Sequence, residues 1–109
     1  MRGTMLIDRD HLGRQTFGDT ELARELLDLF AQQCRRLVPG ITDPSRPADE
    51  RADLAHTLKG SALGIGAVDV AALATTIEDA LRQHRGLGTS VLDLDAVVTA
   101  TLCEISGAA

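Results

Sequence analysis

The run Ala55-His56-Thr57-Leu58-Lys59-Gly60-Ser61-Ala62-Leu63-Gly64-Ile65-Gly66-Ala67 places an imidazole, an ammonium and a glycine within about one helical turn. At about 100° per residue, Leu54, Ala55, Leu58, Ala62 and Ile65 gather on one side, and His56 points about 180° from the centre of that stripe. His56 is therefore expected to face solvent. Lys59 and Gly60, at i+3 and i+4, and Leu63, at i+7, fall on the same outward side. A glycine in mid-helix costs about 0.5–1 kcal/mol against alanine, so Gly60 needs a reason, and clearance beside the imidazole supplies one. Lys59 sets a mobile cation within reach of an anion carried on the ring, and Leu63 offers an apolar spot to a docking partner. These residue types at this spacing describe a histidine that accepts a phosphoryl group.

The segment His56-x-Leu58-Lys59-Gly60-Ser61-Ala62, followed by Gly66-Ala67, resembles the signature of the histidine-containing phosphotransfer (HPt) domains of bacterial and fungal phosphorelays. The resemblance implies that both phosphoryl donor and acceptor are receiver domains of response regulators, with a hybrid sensor kinase upstream. It further implies that Mg²⁺ sits on the receiver, so this chain needs no cofactor of its own.

Attack on phosphorus needs an unprotonated ring nitrogen, and an imidazole of ordinary pKa, roughly 6.5, is mostly neutral near pH 7. A partner on Nδ1 would fix the tautomer and leave Nε2 aimed outward. Glu78, 22 residues beyond His56 on the following helix, is the candidate, because families of this kind bring a Glu or Gln at that offset to the histidine. Lys59 is expected to screen the phosphohistidine charge. Ser61 and Ala62 are assigned to close packing of helices, and His11 and His84 to structural or surface roles. A docking patch is expected around His56 from Ala52, one turn before it, Leu63, two turns after it, and residues of the preceding helix.

There is no Gly-rich phosphate loop and no acidic Mg²⁺ cluster near the histidine, so the chain is expected to be a carrier, not an enzyme with kinase or phosphatase machinery. An alternative is a helical adaptor that binds receiver or kinase domains without carrying phosphate, but an adaptor has no use for an intact histidine flanked by Lys59 and Gly60. A general-base enzyme lacks a converging nucleophile or acidic cluster.

With 109 residues, the chain is expected to form one domain, residues 1–109. Apolar residues make up 44%, yet Phe17 and Phe30 are the only aromatics, so the core must be Leu, Ile, Val and Ala, a diet that favours closely packed helices. Eleven basic against sixteen acidic residues, net −5, with no basic run, argue against nucleic acid. Cys34 and Cys103 stand alone, signalling neither metal nor disulfide. No apolar run approaches the roughly 18 residues of a membrane span, and no leader is seen. The expectation is a cytoplasmic monomer.

Met1 to Met5 show no pattern. A short helix is expected over Asp8 to Phe17, with Leu12 and Phe17 in the core, broken by Gly18-Asp19. Asp19 caps a long helix whose spacing picks out Leu22, Leu26, Leu29, Phe30, Gln33 and Leu37, stopped after Val38 by Pro39-Gly40. The histidine helix starts near Pro47 and reaches Ile65. A fourth helix, with Val70, Leu73, Ala74, Ile77 and Leu81 inward, ends at His84-Arg85-Gly86. The last, capped by Ser90 with Asp93, turns Leu94, Val97, Val98, Thr101, Leu102 and Ile105 inward to about Ile105. The expected fold is all-α: an antiparallel up-down four-helix bundle with the short N-terminal helix packed across one end.

Overall fold

Aspartates open the first two helices. In the computed structural model, which describes residues 6–107, Asp8 Oδ1 accepts the backbone N–H of His11 and Asp19 Oδ1 that of Leu22, both at 3.0 Å. These start α1 (Arg9–Gln15) and α2 (Thr20–Thr42). They are followed by α3 (Ala48–Ile65), α4 (Val68–Arg82) and α5 (Ser90–Ser106), with no strand among the described residues. Met1 to Met5 lie outside the described residues.

The helices form a bundle. Helix α3 packs between α2 and α4, α5 touches α4 and α2 to close the ring, and α1 lies on α3 and α2. The α3–α4 pair is the most extensive, and its small buried side chains, Ala52, Ala55 and Ala62 on α3 with Ala71 and Ala74 on α4, let the two backbones come close. Leu58, Ile77, Leu37, Ile41 and Leu94 are fully buried and fill the space between helices. Each such side chain contributes on the order of 1.5–3 kcal/mol of transfer free energy.

The inward face of α2 is rotated from the expected one. Leu27, Phe30, Cys34, Leu37 and Ile41 are buried, whereas Leu22 and Leu29 are 36% and 54% exposed. The chain carries two neighbouring apolar stripes on this helix, and the one that reaches Ile41 without a polar interruption is the one that packs. It reaches Ile41 because α2 runs through Pro39 to Thr42 instead of stopping after Val38. Pro39 lies on the exposed side, one turn after the equally exposed Arg35, so the backbone bond that proline cannot make is lost where water can replace it. Beyond it, Thr42 Oγ1 donates to Val38 O at 3.0 Å and Arg51 Nε of α3 to Ile41 O at 2.8 Å. Gly40 serves packing, not termination: a Cβ there would stand 2.6 Å from Leu54 Cδ1.

Three helix ends use one reversal, in which the chain turns left-handed and two N–H groups fold back on the last carbonyls. After α3 it is Gly66, φ +78°, with Gly66 and Ala67 donating to Leu63 O and Ala62 O. After α4 the residue is His84, φ +55°, so the helix ends at Arg82 and Gly86 is not its terminator. After α1 it is Phe17, φ +55°, which throws the ring outward to 95% exposure instead of into the core, and Thr16 is buried in its stead. Thr89 precedes α5, its hydroxyl donating to Asp93 Oδ2 at 3.0 Å, one residue before the expected Ser90 cap.

The Gly66 reversal also fixes α1. The Asp8 N–H donates to Gly66 O at 2.8 Å, and a Cβ on Gly66 would stand 2.9 Å from the Asp8 carbonyl oxygen. Gly66→Ala therefore combines a disfavoured φ with a clash against backbone, and is expected to lower the unfolding free energy by about 2–3 kcal/mol in urea titration. An unchanged midpoint would show that the Asp8–Gly66 contact is not closed in solution.

Candidate functional site

His56 sits in the middle of α3 with its side chain 62% exposed, while Glu78 comes from α4 with its side chain only 10% exposed. Nδ1 of His56 lies 3.1 Å from Oε2 and 3.2 Å from Oε1 of Glu78, nearly bisecting the carboxylate. An ionised carboxylate can only accept, so Nδ1 carries the hydrogen and Nε2 of the neutral ring holds the free lone pair. Glu78 is on the flank of α4, next to the core residue Ile77, and this places its carboxylate in the α3–α4 seam below the imidazole.

Two cations complete the setting. Lys59 Nζ is 3.4 Å from Glu78 Oε1, and its side chain is only 28% exposed, so the cation expected to reach an anion on the ring is paired with Glu78 in the unphosphorylated protein. Arg82, which sequence reasoning missed, donates from Nε to Glu78 Oε2 and from its guanidinium Nη2 to Asp53 Oδ1 of α3, each at 3.0 Å. The signal for Arg82 was its position four residues after Glu78 in the last turn of α4, where both the carboxylate and the helix dipole favour a cation. Burial alone would push the Glu78 carboxyl upward; the hydrogen bonds from Arg82, His56 and Lys59 outweigh it and hold the group below its ordinary value.

Of the other expected residues, Gly60 is exposed, and a Cβ built on it would meet nothing within 4 Å. No packing within the chain demands a glycine there. Leu63 is 53% exposed on the histidine's side. Ala52 corrects the expected docking patch: it is 0% exposed and belongs to the core. On the helical wheel it lies only about 40° from His56, yet neighbouring helices cover it and it joins the core cluster. Ala62 is buried as expected, and Ser61 hydrogen-bonds Gln33 of α2. Beside them a groove of about 240 Å³ runs between α2 and α3, with Leu26, Leu29 and Gln33 on one bank and Gly60 and Gly64 on the other.

The remaining reactive side chains lack such surroundings. His84 is exposed in its turn, and His11, half-buried on α1, has its Nε2 buried without a hydrogen-bond partner. Burial pushes the Cys34 thiol up to about 11, while Cys103 is an exposed free cysteine. Among the described residues no group of three or more His, Cys, Asp or Glu could hold a metal, and no helix is long and apolar enough to cross a membrane.

The family model of the Hpt domain matches residues 20–104. The chain belongs to the Hpt domain family. No curated protein and no solved structure gives a significant match. The matched span runs from the first residue of α2 into the last turn of α5 and leaves α1 outside it. Membership assigns histidine phosphotransfer within a phosphorelay, with receiver domains as the class of partner and a carrier's role in place of a kinase's or phosphatase's.

In this Hpt domain the lowered Glu78 value makes a signed prediction. A carboxyl whose folded value lies below its unfolded value of about 4.5 stabilises the fold fully above that pH, and the contribution is lost as pH falls through the folded value. The stability advantage of wild type over Glu78→Gln should be present at pH 5 and shrink steadily below pH 4.5 in urea melts. A difference independent of pH down to 3 would mean that Glu78 is not held as an anion.

Proposed function

We propose that His56 is the phosphoryl carrier, taking the group from the aspartyl phosphate of one receiver domain and passing it to the aspartate of another. The observation that supports this reading most directly is the carboxylate of Glu78 on Nδ1, which leaves Nε2 as the outward nucleophile. In the forward step the Nε2 lone pair forms a bond to phosphorus as the bond from phosphorus to the aspartyl oxygen breaks, and the electron pair leaves on the receiver's carboxylate. The ring keeps its Nδ1 hydrogen and becomes cationic, a charge that Glu78 compensates in place without reorganising. Lys59 is within a side-chain rotation of the phosphoryl oxygens and can exchange Glu78 for them. Transfer onward reverses these bond changes. Mg²⁺ and the activated aspartate belong to the receiver, and this chain contributes no cofactor.

The receiver must close over His56 and exclude water while phosphorus and nitrogen are held in line. Open space at Gly60 and the exposed Leu63 fit that need, and the groove bordered by Leu29 and Gln33 extends it onto α2. Ala52 has no part in it. The ring of contacts from α2 to α5, with its short connections, supports an antiparallel up-down arrangement within a single domain. A monomer in the cytoplasm suits a diffusing carrier. An adaptor reading leaves the Glu78 clamp on His56 without purpose.

His56→Gln should abolish acid-labile labelling by a phosphorylated receiver while circular dichroism stays that of wild type. Label persisting, or moving to His84, would remove His56 from the reaction. Leu63→Asp should cut receiver affinity and transfer by roughly tenfold, with thermal stability nearly unchanged because the side chain is half exposed. Wild-type transfer by Leu63→Asp would place the receiver elsewhere on the surface.

A further inference from the structure

We propose that Arg82 is a positioning residue for the phosphotransfer histidine, locking Glu78 under the imidazole from the side opposite Lys59 and bracing α4 against α3 through Asp53. This builds on the assignment of His56 as carrier, and it concerns a residue whose hydrogen bonds go to Glu78 and Asp53 and not to the ring.

An Arg four residues after a Glu on a helix is ordinarily a weak solvated pair. Three features set this one apart. Its acceptor is buried, with Glu78 only 8% exposed, so the carboxylate has little water to compete for it. The guanidinium spans two helices, with Nε on Glu78 of α4 and Nη2 on Asp53 of α3, three residues before His56. Finally, the oxygen that takes the Arg82 Nε hydrogen is the same Oε2 that lies 3.1 Å from His56 Nδ1. Moving Arg82 therefore frees the oxygen that orients the ring.

The two cations are not equivalent. Lys59 approaches only Oε1, at 3.4 Å from a flexible stem, and can be drawn away by an incoming phosphoryl group. The Arg82 fork, fixed at both ends at 3.0 Å, remains when Lys59 leaves. In that moment it is the remaining side-chain cation that seats Glu78 and directs it at Nδ1, just when the ring acquires positive charge. Asp53 is itself largely exposed, at 75% of its side chain, so its part is to fix the outer end of the fork, not to contact the site.

The decisive measurement is the tautomer of His56 in the unphosphorylated protein, read from long-range ¹H–¹⁵N couplings, because a merely structural arginine would not move it. Wild type is expected to show Nδ1–H with Nε2 bare. Arg82→Gln, its folding checked by circular dichroism because the side chain is 42% exposed and pairs with the buried Glu78, should raise the Nε2–H population and slow transfer at saturating receiver by roughly tenfold without changing receiver affinity. Arg82→Lys keeps the charge but cannot bridge Glu78 and Asp53 together, and should restore the loss only in part. An unaltered tautomer in Arg82→Gln overturns the proposal, whether transfer is unchanged or falls through weaker receiver binding, which would make Arg82 a docking residue. A shifted tautomer in a protein whose wild type accepts no phosphate would sustain the positioning role and dismiss the carrier assignment instead.

Discussion

A carboxylate held in the seam between two helices is the constraint on which this structure turns. Taking an ion out of water costs on the order of several kcal/mol even after the protein relaxes, and Glu78 is nine-tenths buried. It is tolerated because hydrogens converge on it from His56 and Lys59 of α3 and from Arg82 of its own helix. That convergence demands that α3 and α4 lie close and in one register. The alanines between them make the approach possible, and the reversal at Gly66 joins the helices with almost no intervening chain. Packing and chemistry are thus one requirement: the register that satisfies the buried charge is the register that aims the imidazole.

The direction of His56 is legible in the sequence because five apolar residues define the opposite side of its helix without ambiguity. Where the apolar signal is doubled, as on α2, periodicity gives the helix but not its phase, since the choice between the stripes of Leu22 and Leu27 depends on which neighbours arrive. Ala52 shows the same limit at finer scale. A wheel says how far a residue lies from His56, and it cannot say where a neighbouring helix begins to cover the surface. Pro39 and His84 mislead for another reason: both occupy places that their residue types disfavour, a helix interior for a proline without an N–H and a left-handed φ for a histidine, and beyond Pro39 the helix is held partly by Arg51, a partner that no local rule predicts.

The site divides along the same line. Residues on the histidine's own helix, Lys59, Gly60 and Leu63, follow from spacing alone. Glu78 lies on a second helix, and its approach to the ring came from family resemblance, because distance between helices is set by tertiary packing. The i,i+4 spacing offered Arg82 as a partner for Glu78, but its bridge to Asp53, 29 residues away along the chain, is set by tertiary packing.

The crowding of donors on Glu78 carries a consequence for time. Three hydrogens reach its two oxygens, the His56 Nδ1–H between Oε1 and Oε2, one from Lys59 on Oε1 and one from Arg82 on Oε2. Each hydrogen taken up in this way makes the carboxylate a weaker general base toward a passing water molecule beside a labile phosphorus–nitrogen bond, and the Arg82 hydrogen stays when Lys59 turns to the phosphoryl group. In the proposed carrier the decay of an undelivered message is slowed to that extent, and the protein acts as a store awaiting its recipient.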